Sequence, residues 1–324
     1  MPMPTGPTIG ILADNLRIRN SVLPIPAKSA TGWAEGLGLP RGGETVLYTG
    51  LMYQLIPYIE AMNKSREKME DSWMARYAGV GRHVNRVVNI SGLMASPSGD
   101  MRKKFDTILV NIALLLKQAG IHFGYLYGEE LYSGALIHDL GADDVLKSHA
   151  QKVFVVLKRH GVKNIITVDP HTTHMMRSVY PSIVSGYDIN VKSYLEALAE
   201  KNAGPAVRLG GEVVIHDSCV YTRYENVLGE QRGLLANAGV TVREPRDSGK
   251  FTLCCGGPVE SLFPKKALES AVKRVDQIKE AGGRAVTMCP ICYVNLQKAA
   301  GGEVVIEDIS SYLAKAYLAK YIKD

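Results

Sequence analysis

Five cysteines, Cys219, Cys254, Cys255, Cys289 and Cys292, are the residues of this 324-residue chain whose type and spacing speak most directly of chemistry. They stand as HDSC ending at Cys219, thirty-four residues, CCGGP from Cys254, and CPIC from Cys289, with thirty-three residues between Cys255 and Cys289. An odd number of thiols, in a chain whose start lacks the pattern of a secretion signal, argues against a disulfide framework. Four other readings stay open. A structural zinc site would use four thiolates and leave one cysteine over. A thioredoxin-like dithiol at Cys289 and Cys292 explains two thiols and not the other three. Simple buried core cysteines explain neither the adjacent pair nor the C-x-x-C. An iron–sulfur cluster takes thiolates on several irons at once and accommodates all five.

Each cysteine follows a strand candidate or sits just beyond one. Val213 to His216, Val240 to Glu244 and Ala285 to Met288 read as strands, and Lys265 to Glu280 as a helix with apolar residues at three and four spacings. Alternating strands and helices imply α/β layering with parallel sheets, whose carboxyl-end loops converge on one edge. Thiols far apart in sequence can meet there. Gly256 and Gly257 permit backbone conformations closed to other residues and leave room for a bulky inorganic group. Amides in such loops can donate to cluster sulfur, and His216 is a further donor candidate beside the thiols.

The chain repeats itself. VLYTGLMY, ending at Tyr53, matches VIHDSCVY, ending at Tyr221; KQAGIHF (Lys117 to Phe123) matches ANAGVTV (Ala236 to Val242). LYSG (Leu131 to Gly134) matches LCCG (Leu253 to Gly256), and ITVDPHT (Ile166 to Thr172) matches VTMCPIC (Val286 to Cys292). The ordered set implies two pseudo-symmetric Rossmann-like α/β units with parallel sheets. In the first unit Leu51, Tyr132, Ser133, Asp169 and Thr172 replace the five cysteines, so it cannot hold the same centre. The expected division is a connector over 1–44, a first domain over 45–185 and a second over 186–324. The first domain carries an insertion at about 54–104, where Ile59, Met62, Met69, Trp73, Tyr77 and Val80 fall near one helical face. That helix packs on its own domain, or else serves as a docking surface or lid. His171 and His174, in the loop replacing the lost C-x-x-C beside Asp169, are loop or cap groups, or remnants of a polar pocket.

Composition narrows the function classes. Hydrophobic content of 46% and charged content of 22% are globular values. The net charge of +6 is spread rather than clustered, which gives no support for nucleic-acid binding. No apolar run is long enough to span a bilayer; ILVNIALLLKQAG from Ile108 reads as a buried helix, and a cytoplasmic location is expected.

The three cysteine motifs together resemble those of the cysteine-rich CCG family, whose reference member is the disulfide-cleaving subunit of methanogen heterodisulfide reductase. The resemblance covers roughly Thr45 to the C-terminus. It implies that Cys219, Cys254, Cys255, Cys289 and Cys292 hold one noncubane [4Fe-4S] cluster. It also implies electron transfer to or from a disulfide, thiol or sulfur-carrier substrate. The alternatives within the family are an electron-transfer adaptor to a flavoprotein or quinone-linked partner, and a structural or sensory cluster. ADNLRIRNSVLPIP (Ala13 to Pro26) and WAEGLGLP (Trp33 to Pro40) resemble the family's connector, which commonly follows a ferredoxin-like domain. Nothing precedes it here, so a separate ferredoxin-like iron–sulfur subunit is an expected partner, with a flavoprotein subunit as a second.

Overall fold

In a computed structural model, residues 5–70 and 96–319 are described, the backbone alone over 65–70. Short Val- and Ile-rich segments form two four-stranded, wholly parallel sheets. The first orders β1 (Thr45–Tyr48), β2 (Gly124–Tyr125), β3 (Asn164–Thr167) and β4 (Asn190–Ser193) as β2-β1-β3-β4. The second orders β5 (Glu212–His216), β6 (Thr241–Arg243), β7 (Arg284–Thr287) and β8 (Val305–Asp308) as β6-β5-β7-β8, the same arrangement. Pairing repeats as well. Val46 stands opposite Gly124 and Ile165, and its counterpart Val214 stands opposite Arg243 and Ala285. The fold is therefore a duplicated Rossmann-like α/β unit.

The connecting helices include α1 (Thr5–Arg19), α2 (Met52–Glu70), α3 (Gly99–Gln118), α4 (Asp143–Arg159) and α5 (Pro170–His174). Helix α6 (Tyr194–Lys201) follows β4 and closes the first half; the second half includes α7 (Glu230–Asn237), α8 (Pro264–Ala281), α9 (Pro290–Ala300) and α10 (Ile309–Tyr317). Each half's closing helix crosses to the other half: α10 packs on α3, and α6 packs on α7. One apolar core consequently joins Leu47 and Ile166 of the first sheet to Val214 and Val286 of the second. The apolar run from Ile108 lies in α3, with Ile108, Leu109, Ile112, Leu115 and Leu116 buried. Burying each such side chain stabilises the fold by about 2 kcal/mol. Among the described residues no helix is long and apolar enough to cross a membrane.

Polar ties cross the same interface symmetrically. Ser193 and Asp308, the last residues of β4 and β8, cap α6 and α10. The Tyr53 hydroxyl donates to Asp308 Oδ2 at 2.7 Å, and its repeat counterpart Tyr221 sits against Ser193 and accepts from Thr173 Oγ1 at 3.3 Å. The tyrosine shared by both copies of the motif is an interface residue. Glu225 adds a third tie, with its carboxylate 2.6 Å from His174 Nδ1 and 2.8 Å from Ser178 Oγ.

The N-terminal segment packs on the first sheet, α1 against α4 and Trp33 against Tyr125, with ring centroids 4.9 Å apart. Ile59 and Met62 of α2 pack against the first half's core, whereas Trp73, Tyr77 and Val80 lie outside the described residues.

Candidate metal centre

All five thiols sit on loops or helix starts at the carboxyl edge of the second sheet. Cys219 lies three residues beyond β5, Cys254 and Cys255 follow β6, and Cys289 is the residue preceding α9, with Cys292 in its first turn. They form an unbroken chain of neighbours. Cys219 lies beside Cys254, Cys254 beside Cys255, Cys255 beside Cys292 at 3.2 Å, and Cys292 beside Cys289. Cys255, Cys289 and Cys292 are buried, and Cys219 and Cys254 reach partway to the surface. All five are free thiols.

Their electrostatics follow from crowding. Hydrogen bonds from Cys219 and Cys255, then the Gly256 amide at 3.3 Å, hold Cys254 well below its ordinary value. Cys289 is held down as well: burial opposes this, and Cys292 and His171 overcome it. Cys219, Cys255 and Cys292 are pushed up, chiefly by hydrogen bonds within the set: with Cys254 for Cys219 and Cys255, and with Cys255 and then Cys289 for Cys292. Like charges this close cannot all ionise without a cation among them. A soft, multivalent metal centre supplies that cation, since coordinated thiols are deprotonated outright. The donor set therefore fits a thiolate-ligated metal group.

A buried carboxylate ties the loops together. Asp217, two residues before Cys219, accepts two hydrogen bonds from Arg232 at 2.9 and 2.8 Å, and one from the Gly249 amide at 2.7 Å. This joins the Cys219 loop to the loop that leads into Cys254. The two glycines do something more specific than leaving space. A Cβ on Gly256, at φ +80°, would stand 2.4 Å from the Ala267 carbonyl oxygen, and one on Gly257 would stand 2.2 Å from Ile291 Cγ2. They let α8 and α9 close in on the thiols.

His216 is buried and neutral: burial, then Arg274, pull it down to about 3. Its Nδ1 accepts from Arg274 Nε at 2.9 Å, and its Nε2 has no protein partner. One ring nitrogen of His216 and the sulfurs of Cys255 and Cys292 lie within 4.8 Å of one another. Neither Asp217 nor Arg274 is marked by a local pattern in the sequence.

The matching positions of the first half do not form an equivalent centre. Asp169 caps α5 by accepting from the Thr172 amide at 3.0 Å, and burial pushes its carboxyl up to about 6. The Tyr132 hydroxyl accepts from the Leu136 amide, and the Ser133 carbonyl accepts from Tyr180. Gly50 and Leu51 both adopt left-handed backbone, with φ of 56° and 58°, and a Cβ on Gly50 would stand 2.2 Å from Thr172 Oγ1. Gly50 itself has no room for a side chain.

Both histidines of this loop reach the other half, and His171 also lies 3.8 Å from Asp139 of its own half. His174 meets Glu225, and His171 is close enough to Cys289 to hydrogen-bond. Burial alone would lower His171; Cys289, then Asp139 and Asp169, carry it up to about 9. The repeat counterpart of His171 is Ile291, which packs reciprocally against the first half's core.

Comparison with known proteins agrees with this geometry. Residues 213–297 match the family model of the CCG cysteine-rich domain. The chain is 29% identical over 238 residues to a protein of Bacillus subtilis named as a probable iron-sulfur-binding oxidoreductase, FadF, covering 69% of this chain and 34% of that one. It is 31% identical over 236 residues to the EtfAB:quinone oxidoreductase of Syntrophomonas wolfei, covering 67% and 32%. A third relative, from Chromohalobacter salexigens, is named as a probable membrane-anchored ferredoxin and is 27% identical over 218 residues, covering 62% and 32%. The chain thus spans about a third of the length of these relatives. The half that gathers the five thiols is a cysteine-rich domain of the CCG family.

Proposed function

We propose that this chain is an iron–sulfur electron-transfer subunit of an oxidoreductase, with Cys219, Cys254, Cys255, Cys289 and Cys292 as the ligands of one [4Fe-4S] cluster of noncubane type. The observation that carries the reading is the continuous chain of five free thiols at one sheet edge. Relatives named for iron–sulfur binding and for quinone reduction support it. Such a cluster supplies one-electron chemistry and exchanges electrons with whatever docks nearby. Two half-exposed ligands, Cys219 and Cys254, form the side open to a partner.

That side is apolar and basic. Tyr224, Phe251, Val259, Phe263, Leu268 and Val272 are exposed and lie on segments flanking the thiols, with Phe251 86% exposed. Arg223, Lys250, Lys265, Lys266 and Lys273 are exposed on the same segments, against the acids Glu260 and Glu269. An apolar centre with a cationic surround suits a redox protein with an acidic rim, and the partner we propose is a flavoprotein. A disulfide, thiol or sulfur-carrier substrate at the open side is the second chemistry, and a ferredoxin-like subunit is a further proposed partner.

Anaerobic purification with iron, sulfide and zinc quantified tests the cluster, and stopped-flow mixing with a reduced electron-transferring flavoprotein tests the partner. Iron and sulfide at about four each per chain are expected. Reduction by the flavoprotein should slow with added salt and with Phe251→Ser. Stoichiometric zinc without iron would sink the reading. Reduction by dithiols with none by the flavoprotein would select the thiol substrate. Loss of anionic-vesicle binding in Phe251→Ser, with flavoprotein reduction unchanged, would reassign the face to a membrane.

A further inference from the structure

We propose that Arg274 and His216 act as a charge-and-donor pair that raises the reduction potential of a cluster on the five cysteines. The inference rests on the cluster reading above and assigns roles to two residues that are not ligands.

Arg274 is fully buried at 0% exposure, on the face of α8 that closes over the thiols. Its protein partners are uncharged groups: His216 Nδ1 at 2.9 Å, the Asp247 carbonyl at 2.7 Å and Gln277 Oε1 at 2.8 Å. The neighbouring carboxylates are committed elsewhere, Asp217 to Arg232 and Asp247 to Gln277. Arg274 Nη2 has no partner. A buried guanidinium cannot shed its proton, and leaving its charge uncompensated is costly. The negative charges within its field are Asp217, then Cys292 of the thiol set, then Asp247 and Glu244. A thiolate-bound cluster would add negative charge beside a buried cation whose hydrogen-bond partners are all uncharged.

The same hydrogen bond decides what His216 does. Guanidinium groups only donate, so Nδ1 is the acceptor and the ring proton resides on Nε2. A protonated Nε2 is a donor and cannot ligate a metal, although a His216 nitrogen lies within 4.8 Å of two thiol sulfurs. Nε2 is also the ring atom without a protein partner. It is therefore available to donate toward a ligand thiolate or a cluster sulfide. Reduction adds one electron to the cluster with no bond made or broken. A nearby cation and an N–H donor both favour the added negative charge.

The test is a dithionite titration of the full chain, purified anaerobically and followed by electron paramagnetic resonance, with iron and sulfide counted in every sample. Arg274→Met should lower the midpoint potential by at least ~59 mV, a tenfold change in the one-electron equilibrium. His216→Leu should shift it in the same direction, and His216→Gln, which retains an N–H, should recover most of that shift. Should Arg274→Met load no iron, His216→Leu carries the decision, and Arg274→Lys, which keeps the charge, should stay near the wild-type potential. A loaded Arg274→Met or His216→Leu whose equilibrium moves less than about twofold overturns the proposal. Wild-type protein without iron overturns the cluster reading instead.

Discussion

Asp217→Asn separates the proposed cysteine ligands from the residue that holds their loops in place. The substituted amide would keep the side-chain shape but leave the Arg232 guanidinium with Glu244 as its remaining carboxylate partner and weaken the Gly249 tie. Arg232 is about a quarter exposed, which softens the penalty, and a loss of about 2 kcal/mol in urea unfolding is expected. Iron per chain should fall as well, because the Cys219 and Cys254 loops lose their common anchor. The cysteines and His216 were legible in the sequence because their types and spacing are themselves the signal. Asp217 and Arg274 were not. Asp217 sits inside a motif noted for its neighbours, and its partners lie fifteen and thirty-two residues away. Arg274 falls within KRVDQIKE, where a charged residue reads as part of a solvated helix face until α8 is seen packed over the thiols.

The elements were read well where a repeat or a strong period marked them. The strands expected at Val213, Val240 and Ala285 form within a residue or two of their expected ends, and α8 starts one residue early. Contacts between the halves were hidden from periodicity. His171 was placed in a loop of the half without thiols, yet it touches Cys289. Each half also joins its first two strand loops with a buried carboxylate, in opposite directions. Asp217 reaches from the β5 loop to Gly249, and Glu130 reaches from the β2 loop to the Gly50 amide at 2.9 Å and Thr49 Oγ1 at 2.9 Å. Burial pushes the Glu130 carboxyl from 4.5 up to about 7. A raised folded value favours the protonated fold, so this contribution is complete below pH 4.5 and is lost as pH rises through about 7. It amounts to about 3 kcal/mol. Thermal unfolding of the wild type should therefore show falling stability between pH 5 and 8, and Glu130→Gln should flatten that dependence.

At the scale of the whole molecule, duplication was legible because four matched segments kept their order, and the two sheets repeat strand order and register. The interlocking of the halves was not legible, since exchange of closing helices leaves no local pattern. It places the thiols against residues of both copies, with His171 on one side and α8 on the other. The left-handed backbone at Gly50 and Leu51 carries a consequence about history. Changing Leu51, Tyr132, Ser133, Asp169 and Thr172 all to cysteine should leave iron per chain at the wild-type value. Five restored letters would meet a main chain in left-handed conformation at Gly50 and Leu51 and a helix stripped of its Asp169 cap. The two copies have diverged past the point where reversal at the informative positions restores what they once shared.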